Sequence, residues 1–307
     1  MIEKKTALVL GAGGLVGLSY HVGALRALEE FGFSYTDADL IVGTSAGSII
    51  GSYLAKGYSP KQLWEETLEK QGLPHVFNPL VTSRSEAARR TLGSLFVVGQ
   101  SVAKLNLKTI PKGLSHFFPG GMFSIGEGDD RLLHDLGLEW PKSEIYLVAH
   151  DIVSGKRVAL GQDRSTTIPF YLAAEASSAI PGIYQPIKLQ NMLLVDGGVH
   201  STSNLDLALD CDRIIAVVPM AYDPLDPPRN ALNRMLRELP MKWLRTELRL
   251  AKAKGIEIVL IRPGSRTSKI QGVNLMRNDV TEVMHDEALL ETRALLKSGR
   301  MGRKFAA

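Results

Sequence analysis

The sequence predicts an α/β fold in which a mainly parallel sheet carries helices on its faces. Short apolar runs that end at glycine alternate with segments of helical spacing from the start of the chain. Several of these runs are apolar throughout rather than alternating, which is typical of strands buried on both faces. The chain has 307 residues, of which 45% are hydrophobic and 22% charged. This length and composition suit one large α/β domain with additions.

The first part of the chain has a β–α–β–α order. Two buried strands are each followed by a helix that stops near a glycine, and a capping box with proline in its first turn opens another helix. The predicted elements are strands Thr6–Leu10 and Asp39–Val42, helices Leu15–Phe31 and Ala46–Lys56, and a helix from Ser59 to about Gln71. This order predicts parallel strands joined by crossover helices.

The second part of the chain begins with residues 72–121, which we predict to be a helical insertion over the sheet. Beyond it, Ser154-Gly155 and Gln190-Asn191 each separate two short apolar runs, which predicts two hairpins. The predicted elements are strands Glu144–Ala149, Lys156–Leu160, Ile187–Leu189, Leu193–Val195, Arg213–Val218 and Ile256–Ile261, and an amphipathic helix Asp279–Lys297.

Composition argues against several classes of protein. The formal net charge is only +4 and no nucleic-acid-binding signature is present, so no nucleic-acid partner is expected. Cys211 is the one cysteine, which excludes an internal disulfide, and we predict it to be a buried thiol. Neither a signal-peptide pattern nor an uninterrupted apolar stretch of roughly 18 residues occurs. A cytoplasmic protein with no metal and no cofactor is therefore expected.

Gly43-Thr44-Ser45-Ala46-Gly47 is a G-x-S-x-G sequence between a predicted strand and a predicted helix. A nucleophile elbow requires this context, because the turn lifts the serine oxygen above the sheet at the positive end of a helix. The glycines Gly43 and Gly47 allow the tight turn. By itself the motif is equally compatible with an ordinary turn capped by Thr44 or Ser45.

The segment from Gly11 to Gly17 is a glycine-rich turn between the first strand and the first helix. Its backbone N–H groups could bind a phosphate or the oxyanion of an acyl intermediate. A dinucleotide fingerprint would need glycine at Val16 and an acidic residue after the second strand, where Gly43-Thr44-Ser45 stands instead. The acyl-hydrolase interpretation is therefore favoured, and dinucleotide binding is kept as an alternative.

Asp196-Gly197-Gly198 follows the apolar strand Leu193–Val195. Functional sites in open α/β sheets collect at the carboxyl ends of strands, which favours a functional aspartate over an ordinary loop residue. None of the seven histidines has the spacing of a familiar catalytic triad, so each is expected to be structural or exposed.

Four segments occur in an order that resembles the patatin-like phospholipase family. They are the Gly11–Gly17 turn, the elbow at Ser45, Ala176-Ser177-Ser178-Ala179-Ile180-Pro181, and Asp196-Gly197-Gly198. The resemblance covers roughly residues 6–212 and implies a three-layer α/β/α fold. Residues 213–307 are then expected to complete the same domain with further strands and helices.

The resemblance also implies a lipid acyl hydrolase that cleaves carboxylic esters through a Ser–Asp dyad. Ser45 would be the nucleophile and Asp196 the general base. The N–H groups of the oxyanion site would come from Ala12, Gly13, Gly14 and Ala46, with Gly11, Gly17, Gly43, Gly47, Gly197 and Gly198 as structural motif glycines. In the family an arginine or lysine usually precedes the last glycine of the first turn. Val16 stands there, which weakens the case for an anionic head group at that position.

Residues 229–254 form a basic amphipathic segment. It has eight Lys or Arg against two Glu, a net charge of +6. Leucines and Trp243 interleave at near-helical spacing, and Pro240 is expected to break or kink the segment. Contact with anionic lipid is one interpretation. The favoured interpretation is a helix that packs its apolar stripe on the domain and exposes a solvated basic face.

Three further interpretations remain open from the sequence. The Gly11–Gly17 turn could serve a nucleotide-binding oxidoreductase or transferase. A non-catalytic relative could bind lipid without cleaving it. A histidine-dependent α/β-hydrolase fits less well, because only one βα unit precedes Ser45.

Overall fold

The computed structural model describes residues 4–65, 131–163, 167–181, 183–277 and 279–298. The predicted insertion at 72–121 and the predicted end of a helix near Gln71 lie outside the described residues.

The described strands and helices follow the predicted order with small changes at their ends. The strands are β1 Thr6–Leu10, β2 Leu40–Thr44, β3 Glu144–Asp151, β4 Lys156–Leu160, β5 Ile187–Leu189, β6 Met192–Asp196, β7 Arg213–Val217 and β8 Glu257–Ile261. The helices are α1 Gly14–Glu30, α2 Ala46–Ala55, α3 Pro60–Gln62, α4 Arg131–Leu136, α5 Phe170–Ser178, α6 Ala231–Ala253, α7 Ser265–Gln271 and α8 Thr281–Lys297. Short 3₁₀ turns occupy Tyr35–Asp37, Gly197–Val199 and Leu205–Ala208. The predicted capping box at Ser59 and Gln62 is confirmed.

The eight described strands form one sheet in the order β5-β6-β3-β2-β1-β7-β8, with β4 paired to β3. The pairs β1–β2, β1–β7, β2–β3 and β7–β8 are parallel. The two predicted hairpins are confirmed as the antiparallel pairs β3–β4 and β5–β6. β6 also runs antiparallel to β3, which brings its carboxyl end beside the end of β2.

Helices cover both faces of the sheet, so the predicted three-layer α/β/α arrangement is confirmed. Leu8 and Leu10 of β1 face a core shared with α1, α2 and α8. Ala7 and Val9, which point to the opposite face, pack in a second core with Met241 and neighbouring residues of α6. The alternation follows from the two-residue period of a strand. Cys211 is buried in the second core, as predicted.

Of the prediction that Pro240 breaks or kinks the basic segment, the break is wrong, because α6 runs from Ala231 to Ala253 with Pro240 inside it. Proline removes one backbone donor and crowds the preceding turn. The turns on either side stay helical because Met241 and Leu244 are anchored in the second core. None of the described helices is long and apolar enough to cross a bilayer.

Candidate active site

Ser45 occupies a strained turn between β2 and α2. Its φ of 54° and ψ of −120° lie in a region that non-glycine residues rarely adopt. Two hydrogen bonds to the Ser45 backbone stabilise the turn. The Ser45 N–H donates to the Ser177 carbonyl at 3.2 Å, and the Ser48 hydroxyl donates to the Ser45 carbonyl at 2.6 Å. This geometry places the Ser45 side chain at the N-terminus of α2 and agrees with the predicted elbow.

The elbow glycines permit direct contact between α2 and the ends of two strands. A Cβ at Gly43 would lie 2.6 Å from the Ser48 Cα, and a Cβ at Gly47 would lie 2.0 Å from the Leu10 carbonyl oxygen. Both distances are far below van der Waals contact. Gly17 differs, since a Cβ there would meet the Ala46 Cβ at 3.4 Å. Gly43 and Gly47 are therefore required by packing, whereas Gly17 leaves room for a methyl group.

Asp196 ends β6 and meets the Ser45 side chain. Burial raises the pKa of the Asp196 carboxyl from 3.8 to about 6, and hydrogen bonds from Ser45 and the Gly198 N–H act against that rise. The Gly198 N–H donates to Oδ1 at 2.7 Å. A Cβ at Gly197 would lie 2.2 Å from the Val148 carbonyl oxygen, so the turn after Asp196 also needs glycine. The fold thus brings together the two residues singled out from the sequence.

The end of α5 connects the Ser45 turn to the Asp196 strand. The Ser178 hydroxyl bonds the Ser45 carbonyl at 3.1 Å, and the Asp196 N–H donates to the Ala179 carbonyl at 2.9 Å. The Ser177 hydroxyl donates to the Val148 carbonyl of β3 at 2.6 Å. Sequence reasoning marked this segment only as a family match. Its contacts show that it fixes the distance between Ser45 and Asp196.

The glycine-rich turn leaves fewer free donors than predicted. The Ala12 N–H donates to the Thr202 carbonyl at 2.8 Å, and the Gly11 N–H donates to the Val217 carbonyl at 2.9 Å. The prediction that Ala12 contributes an oxyanion donor is therefore wrong, because its N–H already has a backbone acceptor. Gly13, Gly14 and Ala46 remain the candidate donors.

Two neighbours fix the conformation of this turn. Gly14 has φ of +61°, and a Cβ there would lie 2.7 Å from the Leu275 carbonyl oxygen. His21 Nε2 bonds the Gly11 carbonyl at 2.7 Å. Burial lowers the pKa of His21 to about 4, so its neutral ring donates this bond at neutral pH. His21 is therefore structural, as the sequence analysis expected.

Glu247 of α6 organises residues 201–205, which sequence reasoning missed. Its carboxylate accepts hydrogen bonds from the hydroxyls of Ser201 and Ser203, both at 2.6 Å, and from the Leu205 N–H at 3.0 Å. Burial raises the pKa of the Glu247 carboxyl. The same loop supplies the Thr202 carbonyl to the glycine-rich turn. No local sequence motif indicates that Glu247 binds this loop, because more than forty positions separate Glu247 from the loop.

An apolar cavity opens beside Ser45. Its lining consists of Gly14, Leu15, Leu18, Ser45, Ala46, Ile49, Ser178, Ile180 and Met276. Leucine, isoleucine and methionine side chains form most of the wall, so the surface next to Ser45 is apolar. Met276 comes from the segment after α7, in which no sequence motif indicates a function.

Comparison with known proteins assigns the chain to a family. The sequence profile of the patatin-like phospholipases matches residues 8–209, about two-thirds of the chain. This chain belongs to the patatin-like phospholipase family. The predicted resemblance is thereby confirmed, and the matched range contains Ser45 and Asp196.

Two relatives illustrate how far similarity to this protein extends. Uncharacterized protein YqhO of Bacillus subtilis is 26% identical over 211 residues, covering 63% of this chain and 63% of YqhO. Probable lipid hydrolase 463L of Invertebrate iridescent virus 6 is 23% identical over 206 residues, covering 66% of this chain and 62% of that protein. The chain thus spans less than two-thirds of either relative. The crystal structure of VipD from Legionella pneumophila covers 96% of this chain and 67% of VipD, with 14% identity and a TM-score of 0.46.

Glu247→Ala should destabilise the protein strongly. The substitution leaves two buried hydroxyls and one buried N–H without their acceptor, and we expect unfolding to become about 2–3 kcal/mol easier. Chemical denaturation monitored by circular dichroism measures the change. Asp210→Ala is the control, because Asp210 is exposed in a pair with Lys254 and its loss should change stability by less than about 1 kcal/mol. Equal effects of the two substitutions would contradict the assigned role.

Proposed function

We propose that this protein is a lipid acyl hydrolase that cleaves carboxylic esters through a covalent acyl-Ser45 intermediate, with Asp196 as the general base. The observation that carries the proposal is the contact between the Ser45 side chain, at a strained elbow, and a buried carboxyl whose pKa is raised to about 6. A carboxylate of ordinary pKa would be a much weaker base for a serine hydroxyl.

The first half of the proposed cycle acylates Ser45. As Oγ attacks the ester carbonyl carbon, its proton passes to the Asp196 carboxylate. The carbonyl oxygen becomes an oxyanion, which accepts hydrogen bonds from N–H groups at Gly13, Gly14 and Ala46. When the tetrahedral intermediate collapses, the carbon–oxygen bond to the alcohol breaks and Asp196 returns the proton to the departing oxygen.

In the second half of the proposed cycle, water hydrolyses the acyl-Ser45 intermediate and regenerates the free enzyme. Asp196 takes a proton from a water molecule, whose oxygen attacks the acyl carbon. The second tetrahedral intermediate collapses by breaking the bond to Ser45 Oγ, which recovers the proton from Asp196. The products are a carboxylic acid and the starting enzyme. The cycle uses the same base and the same oxyanion donors twice.

The cavity beside Ser45 supports an acyl substrate over a nucleotide. Its wall is formed mainly by aliphatic side chains, which offer no partners to a sugar or a phosphate. The name of the relative 463L, a probable lipid hydrolase, is consistent with an acyl substrate.

Hydrolysis of p-nitrophenyl esters from butyrate to palmitate tests the proposal. The purified chain should cleave them, and Ser45→Ala should remove the activity. Ser298→Ala is the control, because the exposed Ser298 hydroxyl bonds the Leu295 carbonyl at the end of α8, away from the elbow. A non-catalytic, lipid-binding protein predicts lipid association with no hydrolysis by wild type, and that outcome would overturn the proposal.

The rate should depend on pH through Asp196. The carboxylate is the active form of the base, so kcat/KM is expected to rise with pH, with a midpoint at about 6, and to level off above it. Burial lowers the pKa of His21 and of His150 to about 4, so neither ring explains an inflection near 6. A pH–rate profile on a soluble ester measures the midpoint. A rate independent of pH across this range would argue against Asp196 as the base.

A further inference from the structure

Helix α6 packs against the sheet with one face and leaves two others open. The inward face carries Asn233, Arg237, Pro240, Met241, Leu244, Glu247 and Ala251, all buried. Successive residues advance by about 100° around a helix. Positions to either side of the inward face therefore form separate stripes along the helix.

One open stripe is apolar. It consists of Leu232, Leu236, Leu239, Trp243 and Leu250, with Met235 at its outer border. Leu232, Met235 and Leu250 are 51%, 64% and 49% exposed. Leu236, Leu239 and Trp243 are partly exposed and belong to neither of the two described hydrophobic cores. The stripe is therefore apolar surface that the described part of the chain leaves accessible to a partner.

The other open stripe is cationic. It consists of the exposed side chains of Arg234, Lys242, Arg245, Arg249 and Lys252. The acidic side chain on this outward side is Glu238, which pairs with Arg234. The positive charge is thus concentrated along the helix and borders the apolar stripe. An anionic surface that also accepts apolar side chains complements this pairing.

The first turns of α6 contact the loop after β7, and that loop lies against the glycine-rich turn. Arg237 Nη1 donates to the Pro219 carbonyl at 2.8 Å, and Gln271 at the end of α7 donates to the same oxygen. The Pro219 ring lies against the glycine-rich turn, where a Cβ at Gly13 would meet it at 3.0 Å. The segment that follows α7 contributes Met276 to the cavity wall.

We propose that the apolar and cationic stripes of α6 form a docking surface for an anionic phospholipid bilayer. The cations attract lipid phosphates, and Trp243 with the leucines enters the interfacial region. A nucleic acid would complement the cationic stripe only, because its phosphate backbone offers no apolar region for the leucines and Trp243. Binding to the bilayer does not depend on catalysis. Its use in presenting ester substrates to the cavity rests on the proposed function.

Co-sedimentation of the full chain with vesicles tests the charge requirement. Vesicles of phosphatidylcholine mixed with phosphatidylglycerol are compared with vesicles of phosphatidylcholine alone. The variant Lys242→Glu/Arg245→Glu/Arg249→Glu should bind the anionic vesicles about 100-fold more weakly than wild type. The control variant Lys142→Glu/Lys156→Glu/Lys188→Glu makes the same change of net charge at exposed residues outside α6. Its binding should fall much less.

A second variant tests the apolar stripe. Leu232→Ser/Met235→Ser/Leu250→Ser changes side chains that are about half exposed or more, so the fold should survive, and vesicle binding should weaken at unchanged net charge. Both α6 variants should retain wild-type hydrolysis of p-nitrophenyl butyrate in solution. Equal binding by the α6 charge variant and its control, or no wild-type binding to anionic vesicles, would overturn the docking surface. Vesicle binding by a wild type that cleaves no ester would instead overturn the proposed function and leave the docking surface standing.

Discussion

Asp196→Asn is expected to remove most ester hydrolysis while making the protein more stable above pH 7. The amide cannot accept the Ser45 proton, and loss of a general base typically lowers kcat by about 10²–10⁴-fold. Asparagine preserves the shape of the side chain and can still accept the Gly198 N–H through its carbonyl oxygen. The loss should therefore appear in kcat more than in KM, because the cavity is unchanged.

The stability gain follows from the direction of the pKa shift. Burial raises the folded-state pKa of Asp196 from 3.8 to about 6. The folded protein therefore holds this proton over a range where the unfolded chain has lost it, and stability falls as pH rises through that range. Above about pH 6, where Asp196 is charged in both states, burial of the carboxylate costs at most about 3 kcal/mol. Asparagine carries no charge and avoids this cost.

Thermal denaturation of wild type and Asp196→Asn at several pH values measures the gain. The variant should melt higher at about pH 8, and the two curves should converge toward about pH 4. Asp210→Asn is the control, since Asp210 is an exposed partner of Lys254. A variant that melts lower than wild type at pH 8 would show that Asp196 stabilises the fold as a carboxylate, against the burial argument.

Gly47→Ala is expected to destabilise the protein more than any other single methyl addition in the elbow. The new Cβ would lie 2.0 Å from the Leu10 carbonyl oxygen, so α2 must move away from β1 and take Ser45 with it. We expect a loss of at least about 3 kcal/mol in the free energy of unfolding, together with loss of activity.

Gly17→Ala is the matched control for Gly47→Ala. The nearest atom to its Cβ is the Ala46 Cβ at 3.4 Å, and Gly17 lies inside α1. Alanine stabilises a helix interior by about 0.5–1 kcal/mol relative to glycine. Urea denaturation of both variants therefore should show effects of opposite sign. Similar losses at the two positions would indicate that the motif glycines share a role other than packing.

The strands and the two hairpins could be predicted because their signals are local. An apolar run such as Thr6–Leu10 and a turn such as Ser154-Gly155 carry the information within a few neighbouring residues. The continuity of α6 through Pro240 could not be predicted locally, because the packing of Met241 and Leu244 on the sheet offsets the intrinsic cost of proline in a helix. That packing depends on tertiary contacts which no local pattern records.

In the candidate site, too, residues with local sequence signals could be predicted, whereas residues that depend on distant contacts could not. Ser45 and Asp196 could be found because each follows a strand and is flanked by glycines that their turns require. Ala12 was assigned wrongly because the acceptor of its N–H, the Thr202 carbonyl, lies far along the chain. Glu247 was missed for the same reason. Their partners are set by the folded arrangement of the β6–β7 loop against α6.

Covalent labelling with a fluorophosphonate tests the central claim most directly. The reagent reacts with an activated serine hydroxyl, and peptide mapping by mass spectrometry can separate Ser45 from its neighbour Ser48. We predict one adduct per chain, located at Ser45, absent from Ser45→Ala and formed much more slowly in Asp196→Asn. An adduct on a different residue, or an enzyme that hydrolyses esters yet takes up no label at Ser45, would contradict the assignment of Ser45 as the nucleophile.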